Sequence, residues 1–462
     1  MRHQKCLLLT GLLSLALAAS VEAKVPAEQA ARLRNGDLTP LGAEKAGSKS
    51  GTIPAWNGGW TKAPADWKGP GTRSTDPFPE DKPLLTITSQ NLAQYRDKLS
   101  AGQIALFQQY PKTYKMNVYV TRRTAGAPKF VYEATYQNAL NADLGSNGEA
   151  VVNGVIGIPF PIAQNGHEAI WNHKLRYRAQ GIRHTHVQAA VTDSGAYTPS
   201  KLKEDITLKY GTRGITPDEL NNVSVYFLQT VTAPPRLAGT ILLVHETMDQ
   251  VKEPRRAWAY NPGQRRLRRA PNVGYDNPGT ASDGLRTNDQ YDSFNGAMDR
   301  YTWKIVGKKE MYVPYNDYRL HSDKLKYRDI LQPGHINKDL VRYELHRVWV
   351  VEANLRAGTT HIYKRRTFHL DEDSWSILVV DCYDKRDRLW RVQEAHTLAN
   401  YDPGPLTREA SGRNTGVMEA IYDLTSRRYL AMTMNNEEEE RQEQIFPESY
   451  YDPSNVSKLA TK

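Results

Sequence analysis

Between residues 366 and 394, short runs rich in β-branched and aromatic residues alternate with polar turns, and this pattern limits the fold more than any other feature. Arg366 to Leu370 leads into Asp371, Glu372, Asp373 and Ser374; Trp375 to Tyr383 leads into Asp384 to Asp387; Arg388 to Glu394 follows. Turn-length gaps between extended runs predict an antiparallel meander. Further strands are expected at Met116 to Val120, Phe130 to Ala134, Val223 to Phe227, Thr240 to Val244, Val341 to Val351, His361 to His369, Ile377 to Tyr383 and Leu389 to Glu394. Ile377 to Val380 is apolar on both faces, so that strand should be covered on both sides, by helices or the long N-terminal segment on one and by an opposite wall or ligand cavity on the other.

Helical signals are confined to the first quarter. Ala27 to Leu33 reads as a short helix stopped at Asn35 and Gly36, Ser89 as the cap of a helix carrying Leu92, Tyr95 and Leu99, and Ala101 to Tyr110 as helical until Pro111. Residues 36–85 are rich in Gly, Pro, Lys and Trp with little periodicity, and a segment that long in a compact domain is expected to wrap a surface or serve function. The organisation expected is a signal peptide at 1–23, N-terminal helices with a wrapping segment at 24–110, the sheet domain at 111–433 and an acidic tail at 434–462.

The compartment follows from the start of the chain. Arg2 and Lys5 precede an apolar stretch from Leu7 to Ala19, and Val21, Glu22 and Ala23 offer a small-x-small cleavage pattern, so a secretory signal peptide and a mature start at Lys24 are predicted. Cys6 lies ahead of the apolar stretch, so no lipoprotein anchor is expected, and Cys382 is then alone and expected to be buried. The 462 residues are 39% hydrophobic and 24% charged, ordinary globular composition. Formal charge is +10, about +9 after loss of the signal peptide. In an exported protein this points to acidic head groups, an acidic ligand or another protein, and away from nucleic acid.

Trp258 to Arg269 reads as a hairpin turning at Asn261, Pro262 and Gly263, with φ fixed at Pro262 and free to be positive at Gly263; Phe294 to Tyr301 follows. This pair of segments, with the C-terminal meander, resembles the periplasmic outer-membrane lipoprotein-sorting proteins (LolA/LolB-like). Leu38 to Gly59, with its Gly42, Gly47, Gly51, Pro54 and Trp56, resembles a proteobacterial envelope family catalogued as a domain of unknown function, number 1329. The resemblance implies a mainly β (α+β) fold: a strongly curved antiparallel sheet or half-barrel with helices and a long N-terminal segment over its concave face. It also implies a hydrophobic cargo, an inner-membrane transporter and an outer-membrane barrel as partners, and no cofactor.

On that footing the candidate ligand-binding residues are Trp258, Tyr260, Arg266, Arg268, Phe294, Met298 and Tyr301. An inward arginine would bind a head group or latch a lid; the plainer alternative is that all the hairpin arginines are solvated, and the aromatics pack a core. Signals for catalysis and metals are weak, and neither kind of site is assigned. There is no Gly-rich phosphate loop or nucleophile elbow; His184 and His186 share a strand face with no evident third ligand; Asp371 and Asp373 read as solvated turn carboxylates. Glu437 to Glu440 reads as a solvated run or as a docking segment for a basic partner. The function expected is binding or shuttling of a lipid-like molecule between membranes. The rivals are a ligand-free structural adaptor of an envelope complex and, less favoured, a hydrolase with carboxylates converging in one cleft.

Overall fold

The computed structural model describes residues 25–271 and 273–459, so the expected signal peptide lies outside the described residues. The strands are β1 (Leu85–Ile87), β2 (Met116–Val118), β3 (Asp143–Gly145), β4 (Ala150–Val152), β5 (Gly181–Val191), β6 (Pro199–Thr207), β7 (Val223–Ala233), β8 (Ile241–Thr247), β9 (Arg256–Asn261) and β10 (Arg266–Arg269). They continue with β11 (Tyr301–Pro314), β12 (Tyr343–Leu355), β13 (Arg365–Asp371), β14 (Ile377–Tyr383), β15 (Leu389–Asn400), β16 (Arg413–Asp423), β17 (Arg428–Met434) and β18 (Gln442–Glu443). Helices are α1 (Ala27–Asn35), α2 (Ala101–Gln109), α3 (Lys129–Asn141), α4 (Gly166–Leu175), α5 (Pro217–Leu220), α6 (Tyr327–Ile330) and α7 (Pro453–Leu459).

All strands except the β3–β4 hairpin join one sheet built from two antiparallel meanders, β12 to β17 and β5 to β10, stitched by antiparallel pairing of β17 with β5. The sheet is strongly curved but does not close. Bulges interrupt the register in both meanders, for instance between Lys201 and Leu202 and between His396 and Thr397, and each bends its strand. β14 is buried on both faces, as its apolar run requires. Leu106 and Phe107 of α2, with Ile53, Ile87 and Leu92, pack on the face carrying Val392, Tyr422 and Val191. Val131 of α3 and Ile170 and Trp171 of α4 pack on the face carrying Phe368, Ile377 and Val380. Cys382 is fully buried there.

Four expectations are corrected. Residues 130–134 are helical within α3, not a strand: the local run is rich in ring and branched side chains, but Val131, Thr135, Asn138 and Ala139 share the buried stripe of a helix entered after Pro128. Ser89 caps nothing and donates instead to the carbonyl of Pro111; Leu92 to Lys98 forms two 3-10 turns, and Ser100 supplies the real cap, on α2. In the β9–β10 hairpin the positive φ falls on Arg265 and not Gly263, because Arg266 pairs with Asn261 and the loop spans four residues. Residues 437–440 are solvated only in part: Glu437 and Glu439 are exposed, but Glu437 accepts from the Tyr327 amide at 2.7 Å, and Glu440 meets His321 at 2.9 Å and Arg73 at 3.3 Å.

The last segment packs rather than trails. Phe446, Tyr451 and Val456 cover Tyr226, Leu228, Leu243 and Tyr260 on one face of the β7–β9 wall. The other face of the same wall is left to line a chamber.

Candidate functional site

Strand alternation builds the chamber wall. Val225, Phe227 and Gln229 of β7 stand opposite Glu246, Val244 and Leu242 of β8, all on the face away from the C-terminal segment. Residues 273–295 arch over this wall, and the C-terminal end of α4 closes one side. The arch is anchored at several points. Arg255 donates to the carbonyl of Val273 at 3.2 Å and to Asn295; Asp289 takes hydrogen bonds from Arg366 at 2.8 Å and His361 at 3.1 Å; Asp292 is shared by Arg176 and Arg178. Although burial opposes ionisation of Asp289 and Asp292, the cations beside them hold both well below the usual carboxylate range.

The space enclosed is about 900 Å³, counting its open mouth, with Ile206, Val225, Phe227, Leu242, Val244 and Phe294 among its apolar lining. Charged groups also reach it: Lys174, Arg178, Arg255 and Arg286 against Glu246 and Asp292. A second, more polar space of about 830 Å³ shares Arg178, Ile206, Tyr291 and Asp292 with the first and continues past His184, Glu204 and Glu419. Tyr291 divides the two, donating to Glu204 at 2.6 Å with its ring 5.7 Å from that of Phe227.

Among the described residues, two groups of side chains have ligand atoms close enough to surround a cation: His184, His186 and Glu204, and His346, Asp371 and Asp373, each with its donor atoms within 4.8 Å of one another. The first corrects the expectation that His184 and His186 lack a third ligand: both are buried, and Glu204 of β6 pairs with His184 in register and meets His186 at 3.0 Å. Burial and the positive charges of Arg441 and Arg73 keep His184 unprotonated, and the same charges oppose a metal cation. In the second group Asp373 is already gripped by Arg123 at 2.7 and 2.9 Å, and Asp371 by Ser374 and Tyr315. The pair Asp371 and Asp373 is therefore buried and not solvated, because arginine from a distant segment neutralises the turn.

Of the residues selected from sequence, Phe294 lines the chamber. Met298 and Tyr301 sit beside it in the core, where Phe294 lies 5.2 Å and Tyr301 5.8 Å from the Trp303 ring. Trp258 and Tyr260 occupy the opposite face of the wall, under the C-terminal segment. Arg266 and Arg268 are exposed at the edge of the sheet.

Residues 86–457 match the family model described as "Protein of unknown function (DUF1329)". The chain belongs to the DUF1329 family. It is 50% identical over 441 residues, 95% of each chain, to the uncharacterized protein PA3922 of Pseudomonas aeruginosa. Among solved structures it is similar to a putative outer membrane lipoprotein-sorting protein domain from Vibrio parahaemolyticus (12% identity, 63% of this chain and 97% of that one, TM-score 0.43). It is also similar to a DUF1329 family protein from Desulfovibrio piger (14%, 60% and 92%, 0.41) and to the LolA superfamily protein NE2245 from Nitrosomonas europaea (10%, 63% and 99%, 0.38).

In this DUF1329 protein the chamber residues that sequence reading passed over are Lys174, Arg178, Arg255 and Arg286. Their segments carry no motif. The available signal was the alternation in β7 and β8, which marks one face as apolar but not what covers it.

Proposed function

We propose that this DUF1329 protein binds a hydrophobic, lipid-like molecule in the chamber between the β7–β8 wall and the 273–295 arch, and shuttles it between membranes as an exported, non-enzymatic carrier. The observation that carries the reading is the chamber itself: about 900 Å³, walled by Phe227, Leu242, Val244 and Phe294. Each methylene buried contributes about 0.8 kcal/mol, so an acyl chain of about ten carbons gains on the order of 8 kcal/mol before the cost of association. The export signal expected at residues 1–23 supports the compartment, with an inner-membrane transporter and an outer-membrane barrel as the partners that would load and unload the chamber. Among the described residues no helix is long and apolar enough to cross a membrane.

Catalysis finds less support. The acids raised furthest by burial come from separate segments of the chain: Glu149, Glu168 and Glu419 at about 7, Asp381 at about 6, and Asp371 at about 6 beside Asp373, which Arg123 grips. Asp381 is tied to the start of α2 by Ser100 and Gly102, and Glu168 to the start of α4 by Gln164 and Asn165. Native mass spectrometry of the protein purified from its own envelope, followed by solvent extraction, tests the carrier reading. A stoichiometric apolar compound is expected; a protein that stays empty after incubation with envelope extract would refute it.

A further inference from the structure

Four cations and two carboxylates reach the chamber, and the carboxylates are both taken. Glu246 meets Arg255 at 2.5 Å, and Asp292 accepts from Arg176 and from Arg178, the latter at 2.7 Å. Arg286 and Lys174 are left. Among the described residues neither has a carboxylate within ion-pairing distance.

Arg286 is 4% exposed, yet of its five N–H donors one makes a hydrogen bond, to the carbonyl of Thr287 at 3.3 Å, and its buried Nε has no partner. The Tyr291 ring at 5.8 Å lies at the limit of a useful cation–π contact. Glu419, Glu204 and Asp289 act on Arg286 only through space and touch other groups: Glu204 holds Tyr291 and Gln229, Glu419 holds Gln393, and Asp289 holds Arg366. Gly279 adds to the picture, since a Cβ there would come 2.5 Å from the guanidinium carbon; backbone packs flat against the group and keeps it in place. Lys174 donates to the carbonyl of Gly296 at 2.9 Å and stands 4.4 Å over the Trp171 ring, with no acid closer than Coulombic range.

A structural arginine is buried with its partner, as Arg366 is with Asp289 and Arg123 with Asp373. Burial lowers the pKa of Arg286 and takes Lys174 to about 8. A cation held out of water without a counter-charge costs free energy, and an acidic group arriving with the ligand supplies that counter-charge.

Resting on the carrier reading above, we infer that the chamber takes an anionic amphiphile: its carboxylate or phosphate pairs with Arg286, with Lys174 as the second cation, and its apolar part lies along the β7–β8 wall. The hairpin arginines, exposed at the sheet edge, take no part.

The test is calorimetric titration of the mature full-length chain, below micelle concentration, with four ligands of one chain length: dodecanoate, lauroyl lysophosphatidate, uncharged monolaurin and dodecyltrimethylammonium. The acidic pair should bind at least about tenfold tighter than monolaurin, with the advantage shrinking as salt rises. Arg286→Gln should erase that advantage, so that the acidic pair binds no tighter than monolaurin does to the same variant. Should Arg286→Gln fail to fold by circular dichroism, Lys174→Met serves the same comparison. Preference for lysophosphatidate over dodecanoate would point to phospholipid-derived cargo, and the reverse to fatty acids. Equal binding of acidic, neutral and cationic ligands would overturn the inference and leave the carrier reading standing; binding of none would overturn both.

Discussion

His173 is held through both ring nitrogens. Nδ1 accepts from the Ile377 amide at 3.1 Å, so Nε2 carries the proton and donates to the Asp292 carbonyl at 2.7 Å. Burial takes its pKa from 6.5 to about 3. A depressed base contributes stability that is full above 6.5 and is lost as pH falls toward the folded value, because the unfolded chain binds the proton first. Against a His173→Gln variant, which does not titrate, the wild-type advantage in unfolding free energy should shrink by about 2 kcal/mol between pH 6.5 and pH 5. A difference that stays constant across that range would contradict the account. Residues of this kind were poorly legible. The burial of Cys382 could be read from its neighbours, and its thiol is pushed up to about 12. The burial of Asp371, Asp373 and His184 could not, because each depends on partners remote in sequence: Arg123 lies 250 residues from Asp373.

At the scale of elements, the first turn of α2 meets the sheet most closely at Gly102. The Gly102 amide donates to Asp381 at 3.0 Å, and a Cβ there would lie 2.3 Å from the Asp381 carboxylate and 2.6 Å from Val392. Gly→Ala in a helix is ordinarily stabilising by about 1 kcal/mol. Here overpacking should outweigh propensity, and Gly102→Ala is expected to destabilise by about 1–3 kcal/mol in denaturant unfolding; a stabilised variant would show that the sheet yields at this contact. The strands that sequence patterning found, β7, β8, β12, β14 and β15, have continuous apolar or alternating character. Those it passed over include β6 and β11, whose lysines and glutamates suit a strand half open to water and blur the period of two. α3 misled for the converse reason, a β-like run inside a helix whose buried stripe appears only over thirteen residues.

For the whole molecule, the sheet order sets dependence between distant parts. The wall that carries the chamber has Phe446, Tyr451 and Val456 on its back, and Tyr226 stacks on Tyr451 at 5.2 Å. Removing residues 442–462 should therefore lower the unfolding midpoint and expose Leu228 and Leu243 to an apolar dye such as ANS, instead of merely detaching a docking tail. An unchanged midpoint, with loss of an envelope partner, would favour the adaptor reading. The antiparallel meander and its covered central strand were legible in the chain; the union of the two meanders was not, since β17 and β5 meet across more than 200 residues and no local pattern records it. That seam also dictates timing. A chain made from its N-terminus has β5 to β10 long before β17 exists to pair with β5, or residues 446–456 to back the wall. The β7–β9 wall therefore waits, with Leu228 and Leu243 uncovered on its outer face, for a segment made long after it.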